Sequence, residues 1–233
     1  MIVEVLFPEF YIYGEKENIR FLEETFPHAT WIKSAFSQTP YFVEHDVDVI
    51  IMEGMAEYYL DWTCEKLLPF KDRLKELMDR GTYFLLLNNA MDIFGKSLKT
   101  NDGENLSCLG LLDYTCYRDY EDRLFYQMIW TMDGEEYIGS YNGFSRYKMD
   151  PTYHFYQIIK GIDHPEWIGG YHERNIYGME LISQIFICNP ALTKRICRCF
   201  NQDDQLPLEK ELEALHKSKI KAYKEDKRIM KKL

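Results

Sequence analysis

The sequence predicts an α/β protein of three layers, in which helices flank a mostly parallel central sheet. Short apolar runs rich in β-branched residues alternate with amphipathic segments of helical spacing. This alternation is typical of strand–helix–strand units, whose right-handed crossovers produce parallel sheets. The chain has 233 residues, 46% of them hydrophobic, which is enough for one large core.

The first half of the chain supplies the predicted parallel strands. A helix from Glu17 to Phe26 is closed by Pro27, and a second helix runs from Glu65 to Arg80, where Gly81 provides the C-terminal stop. The buried strands that alternate with these helices are Ile2 to Phe7, Val47 to Met52 and Tyr83 to Leu87.

The second half adds an antiparallel extension. Residues Leu124 to Met149 alternate aromatic and polar side chains around Asp133-Gly134, a pattern that predicts a hairpin added to the main sheet. A helix then follows Asn189-Pro190 and runs through Phe200. This helix is expected to complete the globular part of the chain.

Charge is distributed unevenly along the chain. The formal net charge is −10, but Glu209 to Leu233 has nine Lys/Arg against five Asp/Glu, a net of +4 that leaves −14 for the rest. Asn201 to Gln205 is a polar linker, and Pro207 is placed to open a last helix. We therefore expect a globular domain over residues 1–205 and a basic helical tail over 206–233. The tail is expected to lie on its own acidic surface, to reach a neighbouring chain, or to remain a solvated helix.

Composition argues against several functional classes. No stretch approaches the roughly 20 apolar residues of a membrane helix, and no basic region precedes the first apolar residues, so we expect a cytoplasmic protein without a membrane span. The acidic net charge argues against nucleic-acid binding. The cysteines form no CxxC pair, so reduced thiols are expected, and no metal or cofactor is predicted. They are Cys64, Cys108, Cys116, Cys188, Cys197 and Cys199.

The turn after the strand Tyr83 to Leu87 is the first place to look for a site, because α/β sheets place their chemistry at the carboxyl ends of strands. It reads LLLNNAMDIFG. This resembles the strand-to-helix elbow LxxCGGYQLLG of class I glutamine amidotransferases of the cobyric-acid-synthase-like group, in register through Leu87 and Gly95. The alignment puts Asn88 in the position of the catalytic cysteine, with Asn89 beside it.

Five further segments resemble this group in the same order, over nearly the whole of residues 1–200. LFPEFYIYGEKENI is similar to LYPDxxNxYGDxGN of the glutaminase subunit that amidates the peptidoglycan precursor lipid II, and DVIIMEGMAEY resembles DLxxxGGGQD. CLGLLDYT resembles GLGLLDxxT, IGSYNGFSR resembles GFENHGGR, and NIYGMELISQIFICNPAL aligns with NVxGTYLHGPxLxxNPAL. Positions that match these motifs include Gly54, Gly139, Asn142 and Arg146, and Asp122-Arg123 falls where the peptidoglycan subfamily has an Asp-Arg pair.

The resemblance implies a flavodoxin-like glutaminase fold that delivers ammonia to a partner synthetase or ligase, which in the peptidoglycan subfamily is a separate Mur-ligase-like chain. Its chemistry needs a thiolate, a base and backbone donors for the oxyanion. Asn88 supplies no nucleophile, and Ile182 stands at the histidine position and moves no proton. Glu53 and Met55 replace the glycines on either side of Gly54 in the oxyanion loop.

Other residues have two open interpretations. Arg123 matches the arginine that would hold the glutamine α-carboxylate, with Asn142 as a second ligand contact, or it forms an ion pair with Asp122 or Asp119. His164 and His172 flank a segment that is a surface connection or a ligand site. Several tyrosines either form a rebuilt contact surface or pack in the ordinary way at the edge of the sheet. They are Tyr11, Tyr13, Tyr58, Tyr59, Tyr141, Tyr147, Tyr171 and Tyr177.

The sequence therefore predicts a non-catalytic amidotransferase-like subunit or binding module, with a synthetase or ligase partner chain or a homo-oligomer. One alternative is an active amidotransferase or hydrolase with a relocated nucleophile, or different chemistry in the same cleft, based on Arg123, Asp92 and Glu53. A relocated thiol is disfavoured, since no cysteine has a recognisable basic neighbourhood in the sequence. The other alternative is a scaffolding role through the basic tail.

Overall fold

The computed structural model of this chain describes residues 1–12, 15–161, 169–182 and 184–230. Its strands, in chain order, are β1 (Ile2–Leu6), β2 (Thr30–Ser34), β3 (Val49–Met52), β4 (Tyr83–Leu87), β5 (Gly95–Thr100), β6 (Asn105–Leu106), β7 (Leu112–Arg118), β8 (Leu124–Met132), β9 (Glu135–Gly143), β10 (Ser145–Met149), β11 (Gln157–Lys160), β12 (Tyr171–Glu173) and β13 (Ile176–Met179). The helices are α1 (Glu15–Thr25), α2 (Glu57–Leu67), α3 (Lys71–Arg80), α4 (Met91–Phe94), α5 (Ile185–Cys188), α6 (Pro190–Cys199) and α7 (Glu209–Glu225).

The main sheet has six strands in the order β12-β13-β4-β3-β1-β2. All neighbouring strands in it are parallel except β12, which runs antiparallel to β13. Its interior strands β3 and β4 are almost continuously apolar and buried, as expected for strands covered on both faces. The predicted mostly parallel α/β sheet flanked by helices is therefore confirmed, with β4 in its interior.

The predicted helix from Glu65 to Arg80 is wrong as a single element. It is two helices, α2 and α3, separated by a 3₁₀ turn at Leu68–Phe70. Pro69 within this turn explains the break, because proline has no backbone N–H and its ring disrupts the preceding helical turn. The predicted stop is confirmed, since Gly81 has a left-handed φ of 96° and its N–H caps α3.

The predicted hairpin forms, but it is not part of the main sheet. Strands β8 and β9 pair antiparallel across Asp133 and Gly134, whose φ angles of 53° and 84° suit a tight hairpin turn. The hairpin instead pairs with β11 in a separate three-stranded sheet. The remaining strands form a four-stranded sheet in the order β10-β7-β5-β6.

The last helix begins later than predicted. Pro207 lies two residues before α7, because Leu208 adopts a left-handed conformation with φ of 53° and helix formation starts at Glu209. α7 packs on β8, β9, α5 and α6, so the tail lies on its own body, one of the three expected arrangements. No helix in the described parts of the chain has the length and apolar composition needed to cross a membrane.

Candidate functional site

The candidate site lies at the carboxyl ends of β3, β4 and β13. In the register of the parallel sheet, Leu87 pairs with Met179 and Leu86 pairs with Met52. The residues that follow these strand ends therefore meet at one edge of the sheet, as expected for parallel strands. They include Glu53, Asn88 and Glu180.

The elbow after β4 is sharply turned at Asn88. This residue has a left-handed φ of 51° and begins a 3₁₀ turn, Asn88–Ala90, that leads into α4. Left-handed backbone is costly for most side chains, although asparagine tolerates it better than most. A sharp strand-to-helix turn of this kind presents a nucleophile in α/β-hydrolases, but here it presents an amide.

The Asn88 side chain packs against residues 53–55, the loop after β3 that the motif alignment equates with an oxyanion loop. It is 2% exposed, and an ideal β-carbon on Gly54 would lie 2.6 Å from its Nδ2 atom. A β-carbon on Gly143 of β9 would lie 3.8 Å from its Oδ1 atom. Within the described residues Nδ2 has no hydrogen-bond acceptor. The elbow side chain is thus enclosed between two glycines, and only a glycine fits at position 54 without displacing it.

The side chain of Asn89 binds the backbone of this loop. Its Oδ1 accepts a hydrogen bond from the Met55 N–H at 3.0 Å, and its Nδ2 donates to the Met55 carbonyl at 2.7 Å. The Gly54 carbonyl in turn accepts from the Ile12 N–H at 3.2 Å. The Met55 N–H is therefore directed at Asn89, so in this arrangement it does not point toward an oxyanion.

Glu53 points into the protein rather than toward an open cleft. The side chain is 1% exposed, and its Oε2 accepts from Asn18 Nδ2 of α1 at 3.3 Å. The Asn18 Oδ1 accepts from the Phe186 N–H of α5 at 3.4 Å. Glu53 thus joins the loop to two helices that pack beside it.

Ile182 follows β13 and contacts the hairpin. Its side chain is 7% exposed, and its N–H donates to the Ser140 carbonyl of β9 at 2.8 Å. The structure therefore places Ile182 at the sheet edge that carries the elbow, as an apolar packing residue.

Glu180, two residues earlier, is a buried carboxyl that sequence reasoning missed. It is fully buried and accepts hydrogen bonds from the Tyr156 hydroxyl and from the Gly170 N–H, the latter at 3.1 Å to Oε2. Burial raises the pKa of Glu180 above its ordinary value, although these hydrogen bonds oppose the shift. A single acidic residue inside the apolar run GMELI was the available signal.

The side chain of Asp92 joins α4, the helix after the elbow, to strands β7 and β10. Its Oδ2 accepts from Arg118 at 3.1 and 3.2 Å and from Ser145 Oγ at 2.6 Å, and its Oδ1 accepts from the Tyr147 hydroxyl at 2.6 Å and from Cys116 Sγ at 3.3 Å. Asp92 was predicted as a possible site of different chemistry. Every one of these contacts ties α4 to β7 or β10, which is a structural role.

Arg118, the partner of Asp92, was also missed. It is fully buried, and its Nη1 donates to Asp61 at 3.1 Å and to the Tyr120 hydroxyl at 2.9 Å. Burial acts to lower the pKa of Arg118, but the charge of Asp92 and the other partners raises it above the ordinary value. The guanidinium therefore stays charged inside the protein.

The structure brings together Arg123 and Asn142, the two predicted ligand-binding residues. Arg123 Nε donates to Asn142 Oδ1 at 2.8 Å, and the guanidinium carbon lies 5.5 Å from the centroid of the Phe144 ring. The carboxylate of Asp122 pairs with Arg146 at 2.6 Å. Because Asn142 is the cross-strand partner of Phe125 beside Gly143, this pair lies on the hairpin that covers the elbow.

The cysteines are free and mostly protected as thiols. Burial raises the pKa of Cys64 to about 12 and that of Cys197 to about 11, and it raises the pKa of Cys108 and Cys116 as well. Cys64 directly precedes the predicted helix start at Glu65, but it lies in the last turn of α2.

Cys188 corrects the expectation that no thiol has a basic neighbour. Lys219 Nζ of α7 lies 3.4 Å from its sulfur. The two residues are 31 positions apart, so the sequence alone gave no signal for this contact. Cys188 is the last residue of α5 and is buried.

The predicted rim tyrosines differ in exposure, and Tyr59 and Tyr177 are partly buried. The side chains of Tyr11, Tyr141, Tyr147 and Tyr171 are buried, which is ordinary packing. Tyr58 is 56% exposed and belongs to the surface. Of the other residues singled out, His172 stacks on Tyr177 at 4.2 Å, and Tyr13 and His164 lie outside the described residues.

No protein-family model matches the sequence, and no curated protein matches it. Among solved structures, the fold is similar to that of a glutamine amidotransferase with a TM-score of 0.62 and 9% identity, over 85% of this chain and 98% of that chain. The chain has a glutamine amidotransferase-like fold. A second amidotransferase, from Thermotoga maritima, matches with a TM-score of 0.52 and 13% identity, over 97% of this chain and 99% of that one.

Proposed function

We propose that this amidotransferase-like chain lacks glutaminase activity and acts as a non-catalytic subunit or binding module. The observation that carries the proposal is Asn88 in the left-handed turn after β4. A neutral amide is not a nucleophile at neutral pH and forms no labile ester, so the covalent step of glutamine hydrolysis has no starting group there.

The surroundings of the elbow support the same conclusion. Ile182 is an aliphatic residue in the position that the motif alignment gives to the base, and the Met55 N–H is bonded to Asn89. The side chain of Asn88 lies so close to Gly54 that it fills the space between the elbow and the loop. The aligned positions of the nucleophile and the base thus hold Asn88 and Ile182. The Met55 N–H, the candidate oxyanion donor, is already hydrogen-bonded to Asn89.

The finer assignment is to the cobyric-acid-synthase-like group, and it is supported by the six collinear motifs of the sequence. Within that group the closest resemblance is to the subunit that amidates the peptidoglycan precursor. On this basis a separate Mur-ligase-like chain, or another synthetase, is the proposed partner, and the cytoplasm the proposed location. The scaffold would then serve to hold a partner or a small ligand without hydrolysing glutamine.

The test is a measurement of glutamine-dependent ammonia and glutamate release by the purified full chain, beside the variant Asn88→Ala and an active glutaminase. We expect both versions of this chain to release no more ammonia than the enzyme-free blank. Turnover that disappears in Asn88→Ala would show that the elbow is catalytic and would refute the proposal.

The alternative function is hydrolysis through a relocated nucleophile, and the observation that favours it is the Cys188–Lys219 contact at 3.4 Å. Lys219 gives this buried thiol a cationic neighbour within contact distance. An electrophilic glutamine analogue followed by intact-mass measurement and peptide mapping tests it. Adduct on Cys188, absent in Cys188→Ser and accompanied by ammonia release, would favour this alternative over the non-catalytic proposal.

A further inference from the structure

Aromatic side chains are concentrated on the outer surface of α2. Tyr58 and Trp62 are 56% and 51% exposed, and their ring centroids lie 5.9 Å apart. Tyr59 stacks on Phe10 at 4.0 Å, which extends the ring surface beyond the helix. Contiguous exposed aromatic area is uncommon on isolated domains and marks contact surfaces.

This surface continues onto the segment after β7. The buried Arg118 bonds both Asp61 of α2 and the hydroxyl of Tyr120, which brings the two segments together. Tyr120 is 47% exposed, and its ring centroid lies 5.9 Å from that of Phe144. We call the following residues the aromatic strip: Phe10, Tyr58, Tyr59, Trp62, Tyr120 and Phe144.

Carboxylates accompany the aromatic strip. Glu57, Asp61 and Glu65 repeat every four residues along α2 and therefore form one row beside Tyr58 and Trp62. The carboxylate row and the aromatic strip together are suited to bind cations, because ammonium groups bind both carboxylates and the faces of aromatic rings.

The outer face of α7 has the opposite charge. Lys210, Lys217 and Lys221 are exposed, and their spacing of seven and four residues places them on one side of the helix. None of the three has an ion-pair partner within the described residues. The opposite side of α7 holds Leu212 and His216 against the body of the protein. The lysine row therefore lies on the side of α7 away from Leu212, where Lys217 and Lys221 also border a groove beside Glu135 and Glu136 of the hairpin.

We propose that the lysine row of α7 in one copy of this chain binds the aromatic strip and carboxylate row of α2 in a second copy. At about 1.5 Å per residue, the three carboxylates span about 12 Å and the three lysines about 16 Å, a difference that long lysine side chains absorb. Both surfaces are present on every chain. The contact consequently closes as a two-fold dimer with two such contacts or repeats from copy to copy.

The experiment is sedimentation velocity of the full chain over a range of concentrations at low and high salt. We expect concentration-dependent dimers or larger species at low salt that dissociate as salt is raised, because screening shortens to about 8 Å at physiological ionic strength and further above it. The variants Tyr58→Ala/Trp62→Ala and Lys217→Glu/Lys221→Glu should each weaken association at least about tenfold. Ile159→Ala removes an apolar side chain that is 49% exposed on β11, outside the strip, and should leave association unchanged.

Mixing the two double variants gives a complementary test. Each retains one intact surface, so the mixture should associate where neither variant does alone. Circular dichroism of each variant checks that its fold is intact, as expected for exposed positions. A wild-type chain that sediments as a monomer throughout, or association that both double variants leave unchanged, would overturn the proposal.

Discussion

The side chain of Asn88 packs directly over Gly54, so that a β-carbon at position 54 would lie 2.6 Å from Asn88 Nδ2. The contact joins the elbow after β4 to the loop after β3. It gives a physical reason for a glycine at position 54.

Gly54→Ala should therefore destabilise the protein by about 1–3 kcal/mol, the usual cost of overpacking a filled site. The free energy of unfolding in urea measures the effect. In an Asn88→Ala background the added methyl group has room, so the same substitution should cost less, and the double-mutant cycle should show coupling. Equal costs in both backgrounds would mean that the two residues do not restrict each other.

Asp92→Asn should be strongly destabilising, by about 3–5 kcal/mol, because it removes the one buried carboxylate that the described structure pairs with the fully buried Arg118 and leaves only the partly exposed Asp61. Asp61→Asn is the matched control. Asp61 contacts the same guanidinium, but its side chain is 46% exposed, so its loss should cost no more than about 1 kcal/mol. Similar unfolding free energies for the two variants would contradict the assignment of Asp92 as the anchor.

Glu180 should make stability fall as pH rises. Its pKa in the folded protein is raised by burial above the value of the unfolded chain, so the folded state binds more protons in the interval between the two values. The contribution of Glu180 is fully present below the unfolded pKa and is lost as pH rises through the folded pKa. Unfolding free energies of wild type and Glu180→Gln, measured from acid to neutral pH, should diverge in favour of the variant as pH increases. Parallel curves would exclude this role.

His216 should hold α7 on the body. Its Nδ1 lies 2.8 Å from the Cys188 carbonyl oxygen and its Nε2 lies 3.1 Å from that of Glu136. Replacing it with alanine removes these contacts and should speed proteolytic cleavage in the linker near Gln205, with a loss of about 1–3 kcal/mol in stability. Ser218→Ala, at an exposed position of the same helix outside the lysine row, is the control that should leave cleavage unchanged. Rapid cleavage of the wild type at both low and high salt would show that the helix is not docked.

Local patterns predicted much of the fold. The strand Tyr83–Leu87 and the stop at Gly81 were both readable because apolar runs and left-handed glycines act over a few residues. Edge strand β2 was missed, because its residues are only partly buried and lack a continuous apolar run. The sequence also did not indicate which sheet the hairpin joins, because the pairing of β8 with β11 depends on residues far apart in sequence.

The candidate site shows the same division. The elbow residue Asn88 was found from a motif, since the turn and its neighbours are consecutive in the chain. The Asp92–Arg118 pair was not found, because its members are 26 residues apart and neither belongs to a local pattern. Glu180 was passed over for Ile182, because the motif alignment directs attention to position 182.

The hydrogen bonds of Asp92 also have a consequence for motion. Through Cys116 and Arg118 they reach β7, and through Ser145 and Tyr147 they reach β10. The helix that follows β4 of the main sheet is therefore also bound to the four-stranded sheet. Local opening of this region would have to break all of these contacts at once. The backbone amides of α4 are thus expected to exchange their hydrogens only when the whole protein unfolds, which makes the elbow a fixed element and leaves any movement on binding to the surrounding loops.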